Sequence, residues 1–398
     1  MVGKTVGKKD AGPIGRLLIV QYGNYAEAWH RVQNGEPETY RDQFSSVSFV
    51  DSLADDREVI TVALSADAHD EVLRPGLRSI GLPGHPTRRT LDGLIDSIAP
   101  DAIVCRTPYS ALIGSCAARG IRVLPNFADI FGARTLRDRV RLWRLSRNMR
   151  RLRAPCISNH SLNASRSAVA ALGFPAERVV PWDWEMLTPD PTAKTAMADA
   201  KRPRLFFAGN LTPSKGLGDV IEALALLRRD GIGATFSVAG AGNLAPWRDR
   251  AADLGVEDAV DLLGTLPLTT VREQMASHDI VLVPSRHDYA EGLPNTIYEA
   301  LASRSALIIS DHPAFAGRLR DGQDCLVFRA ADPTSLASTV RRIVEEPSLY
   351  GALSAQAPGA LRSLTVGMSW IDLITHFLDD PDDRTNWVLA NSLAQRKG

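Results

Sequence analysis

The chain alternates short β-rich runs with longer helical stretches from one end to the other, and the runs are apolar at consecutive positions. RLLIV (16–20), EVITVAL (58–64), DAIVC (101–105) and IRVL (121–124) mark the first half. RLFFAG (204–209), ATFSVAG (234–240), AVDLLG (259–264), DIVLVPS (279–285), ALIIS (306–310) and CLVF (325–328) mark the second. A strand that is apolar on both faces must be covered on both, which is the condition of a parallel sheet flanked by helices. Repeated strand–helix units join through right-handed crossovers into open, doubly wound α/β sheets. No short repeat period runs through the chain, so a solenoid is not expected. A length of 398 residues points to two or three domains, each with its own core.

TPDPTAKTAMADAKRP (188–203) breaks the rhythm with Pro, Ala, Thr and Asp, and reads as a linker between two similar α/β domains. A long loop inside one domain is the alternative. The expected division is a flexible amino-terminal tail over 1–15, a Rossmann-like domain over 16–187, the linker, and a second Rossmann-like domain over 204–366. A final segment covers 367–398. Open α/β sheets bind ligands beyond the carboxyl ends of their strands, so two facing domains place a site in the cleft between them.

Lys plus Arg equals Asp plus Glu, at 46 each, which excludes a global basic field and leaves nucleic acid out of the expected partners. No apolar run approaches the roughly 18 residues that span a bilayer. The opening MVGKTVGKKDAGPIG has no apolar core of a secretory signal. Cys105, Cys116, Cys156 and Cys325 are far apart and form no CxxC pair, the pattern of a reduced, cytoplasmic protein without a zinc site.

The densest chemistry lies between Glu291 and Asp311. A strand ends at Pro284–Ser285, a loop follows, and a helix is predicted to begin near Pro294, where a missing N–H costs nothing. The free N–H groups of Asn295 and Thr296, with the helix dipole, make a place for an anion. Glu291 and Glu299 flank this place, and carboxylates there accept hydrogen bonds from sugar hydroxyls. Such a pattern suits a diphosphate held between two sugars. A solvated Glu pair is the plainer reading of the same residues. A second strand–turn–helix, FFAGNLTPSKGLGDVIEALALL (206–227), would point the Lys215 ammonium at the mouth of the sheet, although a Lys near a helix start is commonly only solvated.

The ordered set FxGNLxPSKG, VAGAGN, LLGTLP, SHDIVLVPS, Glu-x7-Glu and ISDHPAFAGRLRDGQDCLVF resembles the retaining glycosyltransferases of family 4, which have the GT-B fold. The likeness is close over 204–346, and the stretch around Met368–Ser369–Trp370 is similar to that family's last helix, which crosses back to the first domain. The resemblance implies two facing Rossmann-like domains, a nucleotide-diphosphate sugar as donor, and no tightly bound cofactor or strictly required metal. Glu299 would hold the ribose hydroxyls and Glu291 the transferred sugar. Backbone N–H groups from Gly292 and Leu293 through Asn295 and Thr296 would hold the diphosphate. Lys215 would neutralise the leaving diphosphate, next to Gly209, Asn210, Gly216 and Gly240, with Gly264 and Leu266 near the base. The implied acceptor is a glycan or a lipid-linked molecule of surface polysaccharide or glycolipid assembly.

The chain departs from the family's pattern in places. Asn210 stands where many members have Arg, which shifts phosphate charge onto Lys215. Pro294 stands where Gly is common. The first strand runs into Tyr22–Gly23–Asn24, and the usual His of the fourth-strand loop is not evident, so Asp129 in LPNFADIFG is the candidate for that place. These departures leave a non-catalytic nucleotide-sugar binder, or a GT-B epimerase, as alternatives. GAGNLA (240–245) imitates a dinucleotide fingerprint, but it lies in the second unit of its domain with Pro246 and Trp247 at the helix start.

From Arg134 to Arg153, nine arginines face a single acid, Asp138. Leu142, Leu145, Met149 and Leu152 fall at helical spacing with Trp143 beside them. Arg137, Arg141, Arg144, Arg150 and Arg151 are expected to form a patch for an anionic membrane surface or a phosphate-bearing acceptor, which would put a cytoplasmic protein at the inner face of the cell membrane. A packed helix with solvated arginines is the competing reading. His278, His287 and His312 lack shared ligand spacing and predict no metal site.

Overall fold

The computed structural model describes residues 14–133 and 135–396. The expected tail lies outside them apart from its last two residues, and so does Arg134. The first domain contains β1 (Arg16–Gln21), α1 (Tyr25–Gln33), α2 (Gln43–Ser52), β2 (Glu58–Leu64), β3 (His69–Arg74), β4 (Leu77–Leu82) and α3 (Arg88–Ile98). It continues with β5 (Ala102–Cys105), α4 (Ser110–Arg119), β6 (Arg122–Phe127), α5 (Leu136–Met149), β7 (Ile157–His160), α6 (Leu162–Leu172) and β8 (Val179–Trp182). Its sheet runs β3-β4-β2-β1-β5-β6-β7-β8, parallel except for the antiparallel edge strand β3.

The second domain contains β9 (Arg204–Ala208), α7 (Leu217–Arg229), β10 (Thr235–Ala239), α8 (Ala245–Asp253), β11 (Val260–Gly264), α9 (Leu268–Ser277), β12 (Ile280–Val283) and α10 (Asn295–Ala302). Then come β13 (Ala306–Ser310), β14 (Leu326–Phe328), α11 (Pro333–Glu345) and α12 (Pro347–Leu364). Its parallel sheet runs β11-β10-β9-β12-β13-β14. Every apolar run named above contains a strand of one of these sheets.

Each sheet is covered on both faces. Leu205 and Phe207 of β9 pack with α7 and α11 on one side, whereas the intervening Phe206 packs with α9, α10 and α12 on the other. The alternation of a strand's side chains thus feeds two apolar layers at once. The linker is not a free tether. Lys194 Nζ donates to the carbonyls of Met275 and His278 and to Ser305 Oγ, at 2.9, 2.8 and 2.9 Å, and fastens the linker to the second domain.

The chain then returns. Asp183 and Trp370 are tied through Asp183 N to Met368 O and Trp370 N to Asp183 O, at 3.0 and 2.9 Å. Beyond this clasp, α13 (Trp370–Asp379) drives Trp370, Leu373 and Phe377 into the first domain's core beside Leu17 and Ile19. Burying three large side chains there, at roughly 1.5–3 kcal/mol each, fixes the two domains to one another from behind the cleft. Among the described residues no helix is long and apolar enough to cross a membrane.

Candidate active site

In the second sheet β9 has β10 on one side and β12 on the other, so the chain's winding reverses between β9 and β12. At such a switch point the loops leaving the two strands diverge and open a crevice. Lys215 lies on the loop after β9 and Glu291 on the loop after β12. Arg286 forks onto Asp219 at 2.8 and 2.6 Å, and its N–H donates to Ser214 O at 2.8 Å, locking the two loops together. Lys215 Nζ consequently sits 2.7 Å from Glu291 Oε2 and 3.1 Å from Oε1, over the Tyr289 ring at 4.4 Å from its centroid. Ser285 Oγ donates to the same Glu291 oxygen at 2.9 Å. Sequence reasoning pointed the Lys215 ammonium at an anion alone; the structure pairs it with Glu291 at the cleft wall.

The crevice encloses ≈ 700 Å³ and has walls from both domains. Gly209, Asn210, Lys215, Gly240, Leu266, Glu291, Asn295, Thr296 and Glu299 line it from the second domain. Gly23, Asn24, Tyr40 and Arg41 are among those that line it from the first. The remaining expected donor residues lie behind this wall. Gly216 opens α7, Gly264 gives its carbonyl to Gly240 N at 2.8 Å, and Leu293 is buried in the apolar layer under α10. Gly292 faces the other domain: a Cβ on it would come 2.3 Å from the Ala128 carbonyl oxygen. A glycine is therefore what lets the loop carrying Glu291 meet the loop carrying Asp129, and Ile130 N reaches Glu291 O there at 3.3 Å. Gly240 serves a similar end, since a Cβ there would lie 1.8 Å from Gly209 O. Its place in the dinucleotide-like run is explained by the close approach of two strand-end turns.

Helix α10 begins with Pro294 as its cap, and Asn295 and Thr296 have no carbonyl four residues back to accept their N–H groups. Thr296 Oγ1 donates to Ala208 O at 3.0 Å and ties this helix start to the end of β9. Glu299, one turn further, is 5% exposed, and among the described residues no donor hydrogen-bonds its carboxylate. Burial raises its pKa, with Arg272 and Arg41 opposing. A buried carboxylate without donors beside an open crevice is set to receive hydroxyls from a ligand.

Asp129 lies on the neighbouring wall, within a second cavity of ≈ 970 Å³ formed by the first domain. Its carboxyl is pushed up by enclosure within the cleft and then by the Glu291 carboxylate, while His160 and Lys215 pull it down. His160, absent from the sequence reasoning, ends β7, and its Nε2 donates to Asp183 Oδ1 at 3.1 Å. Tyr298 hydrogen-bonds the other Asp183 oxygen, so these three buried side chains join β7, β8 and α10 across the domain boundary. Arg41, also missed, is 1% exposed, and its guanidinium lies over the Tyr298 ring at 4.5 Å. A polar end to a short strand, ISNH (157–160), was the only sequence signal for His160; Arg41 had none.

The buried stripe on α5 is Leu142, Leu145 and Met149. Arg137 and Arg141 line the second cavity, and Arg144 and Arg151 are exposed. Arg150, also exposed, has a local role as well. It donates to the carbonyls of Leu172 and Gly173 at 3.2 and 2.6 Å and so caps the end of α6. The three candidate-loop histidines are engaged locally: His278 with Gln274 O and Ser237 Oγ, His287 with Asp311, and His312 with Tyr289 O.

Residues 202–346, which hold Lys215, Glu291 and Glu299, match the family model described as glycosyl transferases group 1. Within the second domain the chain is thus similar to the group 1 glycosyl transferases. Glycogen synthase of Mycobacterium tuberculosis is 29% identical over 182 residues, 44% of this chain and 42% of that one. The amylovoran biosynthesis glycosyltransferase AmsK of Erwinia amylovora is 28% identical over 144 residues, 35% of each chain. The chain thus spans under half the length of these curated relatives. Solved structures extend the likeness over both domains. Sucrose-phosphate synthase of Thermosynechococcus elongatus superposes with a TM-score of 0.65 at 14% identity, over 92% of this chain and 98% of that chain. Anabaena Alr3699/HepE, solved with UDP-glucose, gives 0.63 at 13% identity, over 92% and 98%. The two domains together have the GT-B fold.

Proposed function

We propose that this chain is a retaining glycosyltransferase that moves a hexosyl unit from a nucleotide-diphosphate sugar to a glycan or lipid-linked acceptor in surface polysaccharide or glycolipid assembly. The observation that carries the reading is the crevice at the β9/β12 switch point, where an ammonium, a free helix start and an unpartnered buried carboxylate face one another. A diphosphate on the α10 N-terminus lies within reach of Lys215, and Glu299 accepts from the ribose. As the bond from the anomeric carbon to the diphosphate oxygen breaks, negative charge grows on the diphosphate. The helix N–H groups are already oriented toward it, and Lys215 turns to it from its pair with Glu291, so stabilisation needs little solvent reorganisation. The sugar becomes oxocarbenium-like between Glu291 and Asp129, whose carboxylates offset its positive charge. The acceptor oxygen bonds the anomeric carbon from the face the diphosphate leaves, and its proton passes to the departing diphosphate. No divalent ion has a role in this proposal, and the enzyme works in the cytoplasm. The Anabaena neighbour solved with UDP-glucose supports a donor of this class.

Asn210, in place of a permanent cation, favours a second reading: a binder of nucleotide sugars without turnover. Incubation with donors carrying an isotope-labelled sugar separates the two. The proposed enzyme transfers label to an acceptor or slowly to water, whereas saturable binding with no release of sugar would contradict it.

A further inference from the structure

The first domain has a switch point of its own. Its sheet reverses at β1, between β2 and β5, and the second cavity opens there. Arg106, just beyond β5, lines this cavity with its Nη1 donating to the neutral Gln21 Oε1 at 2.8 Å. Among the described residues no carboxylate forms an ion pair with Arg106 or Arg137, and Arg141 reaches Asp138 only at 3.8 Å. Guanidinium groups gathered in one cavity without matching acids raise its potential and call for an anion. Asp129, the cavity's acid, sits at the end nearest Lys215 and Glu291, where the reacting hydroxyl has to be.

At its other end the cavity continues into a surface hollow that shares Ser110, Arg137 and Arg141 with it and adds Leu136, Val140, Arg144 and one acid, Asp138, which is engaged in the capping box of α5 with Thr135. Leu136, Val140 and Trp143 lie at positions i, i+4 and i+7 of α5, on a face distinct from the buried stripe, and are 75%, 42% and 60% exposed. Of the large apolar side chains exposed on the described surface, they are the ones aligned on a single helix. An apolar ridge fringed by arginines is the chemistry of a bilayer interface, with alkyl chains against the ridge and phosphates against the cations.

We propose that the acceptor is a lipid phosphate or diphosphate: its sugar hydroxyl at Asp129, its phosphates on Arg106, Arg137 and Arg141, and its alkyl chain laid along Leu136, Val140 and Trp143. This rests on the transferase reading and names the acceptor class for the same cleft. It also explains why the two walls carry opposite arrangements of charge. The donor wall mixes Lys215 with carboxylates for a sugar between phosphates; the acceptor wall is cationic and aromatic and then becomes apolar outward.

The test is calorimetric titration of the full chain with farnesyl diphosphate, inorganic diphosphate and farnesol, each with a nucleoside diphosphate present to fill the donor crevice. Farnesyl diphosphate should bind with saturation, about tenfold or more tighter than inorganic diphosphate, and farnesol should give no heat. The double variant Arg137→Gln, Arg141→Gln should weaken it about tenfold or more, the scale of charged hydrogen bonds. Trp143→Glu, at an exposed position that leaves the fold intact, should weaken farnesyl diphosphate but leave inorganic diphosphate unchanged. The same variant should also reduce flotation with vesicles of phosphatidylcholine and phosphatidylglycerol. Equal affinity for inorganic and farnesyl diphosphate would reduce the cavity to an anion site and overturn the lipid assignment. Indifference of farnesyl diphosphate to both variants would do the same. If nucleoside diphosphates bind and farnesyl diphosphate does not, the acceptor class fails alone; if no nucleoside diphosphate binds, the transferase reading fails with it.

Discussion

The two walls of the cleft are built on the same plan and recognise by different means. Each lies beyond the carboxyl ends of a parallel sheet at a point where the winding reverses, β9/β12 in one domain and β1/β5 in the other. The donor wall draws on two adjacent loops and one helix start, locked by the Arg286–Asp219 fork, which holds Lys215 Nζ 2.7 Å from Glu291 Oε2. The acceptor wall gathers Gln21, Arg106, Asp129, Arg137 and Arg141 from separate strands and a helix. In the proposed enzyme a ligand common to many enzymes, a nucleoside diphosphate, would be met by a compact constellation made partly of backbone. An acceptor particular to one enzyme would be met by side chains brought together from distant parts of the first domain.

Breaking the donor wall should have the largest effect. Lys215→Ala removes the ammonium that faces the leaving diphosphate, and initial rates should fall by about 10²–10³-fold with a much smaller change in donor affinity. Unchanged turnover would move the leaving-group role elsewhere. Glu299→Ala should instead act on binding, weakening the donor by about 2 kcal/mol, or roughly thirtyfold, with kcat at saturation less affected. Equilibrium titration against the wild type reads this directly, and an affinity loss equal to that of Lys215→Ala would erase the division of labour.

Gly292→Ala tests how the walls meet. The added methyl group collides with Ala128 O and should hold the loops of Glu291 and Asp129 apart, so kcat should drop about tenfold or more, since misplacement by an ångström carries penalties of that order. Thermal unfolding should shift little, because both apolar cores are untouched; a large loss of Tm would make Gly292 a determinant of folding and not of closure.

The smallest effect concerns pH. Enclosure and the Glu291 carboxylate raise the Asp129 pKa, so its carboxyl keeps its proton to higher pH than the ordinary value of about 3.9. The charged form is the one that offsets positive charge on the sugar. Activity should therefore be low at acid pH and rise through that raised pKa, and Asp129→Asn should abolish the rise. An unaltered acid limb in this variant would assign it to another group.

Much of the donor wall could be read from the chain because strand, turn and helix are contiguous there. FFAGNLTPSKG and EGLPNTIYEA carry apolar runs, a proline cap and the charged residues within a few positions of each other. The strands that lacked an apolar run are instructive for the opposite reason. β3, His69–Arg74, is an exposed edge whose charges discourage further pairing, and so it resembles a loop in sequence. β7 is buried but polar, with Ser158 and Asn159 satisfied by Asn126, Pro125 and backbone partners, so periodicity missed it and with it His160. Arg106 and Arg41 could not be found from spacing, because their roles arise only when distant strands meet. The Lys194 anchor, a cation among neutral acceptors, had no signal in composition or motif.

In the proposed enzyme the cleft grips a nucleoside diphosphate through the α10 start, Lys215 and Glu299. Titration calorimetry of UDP, GDP, ADP and TDP into the wild type and into Glu299→Ala tests it most directly. At least one nucleotide should bind the wild type with saturation and bind Glu299→Ala roughly thirtyfold more weakly. No heat from any of the four, or equal affinity in the two proteins, would contradict it.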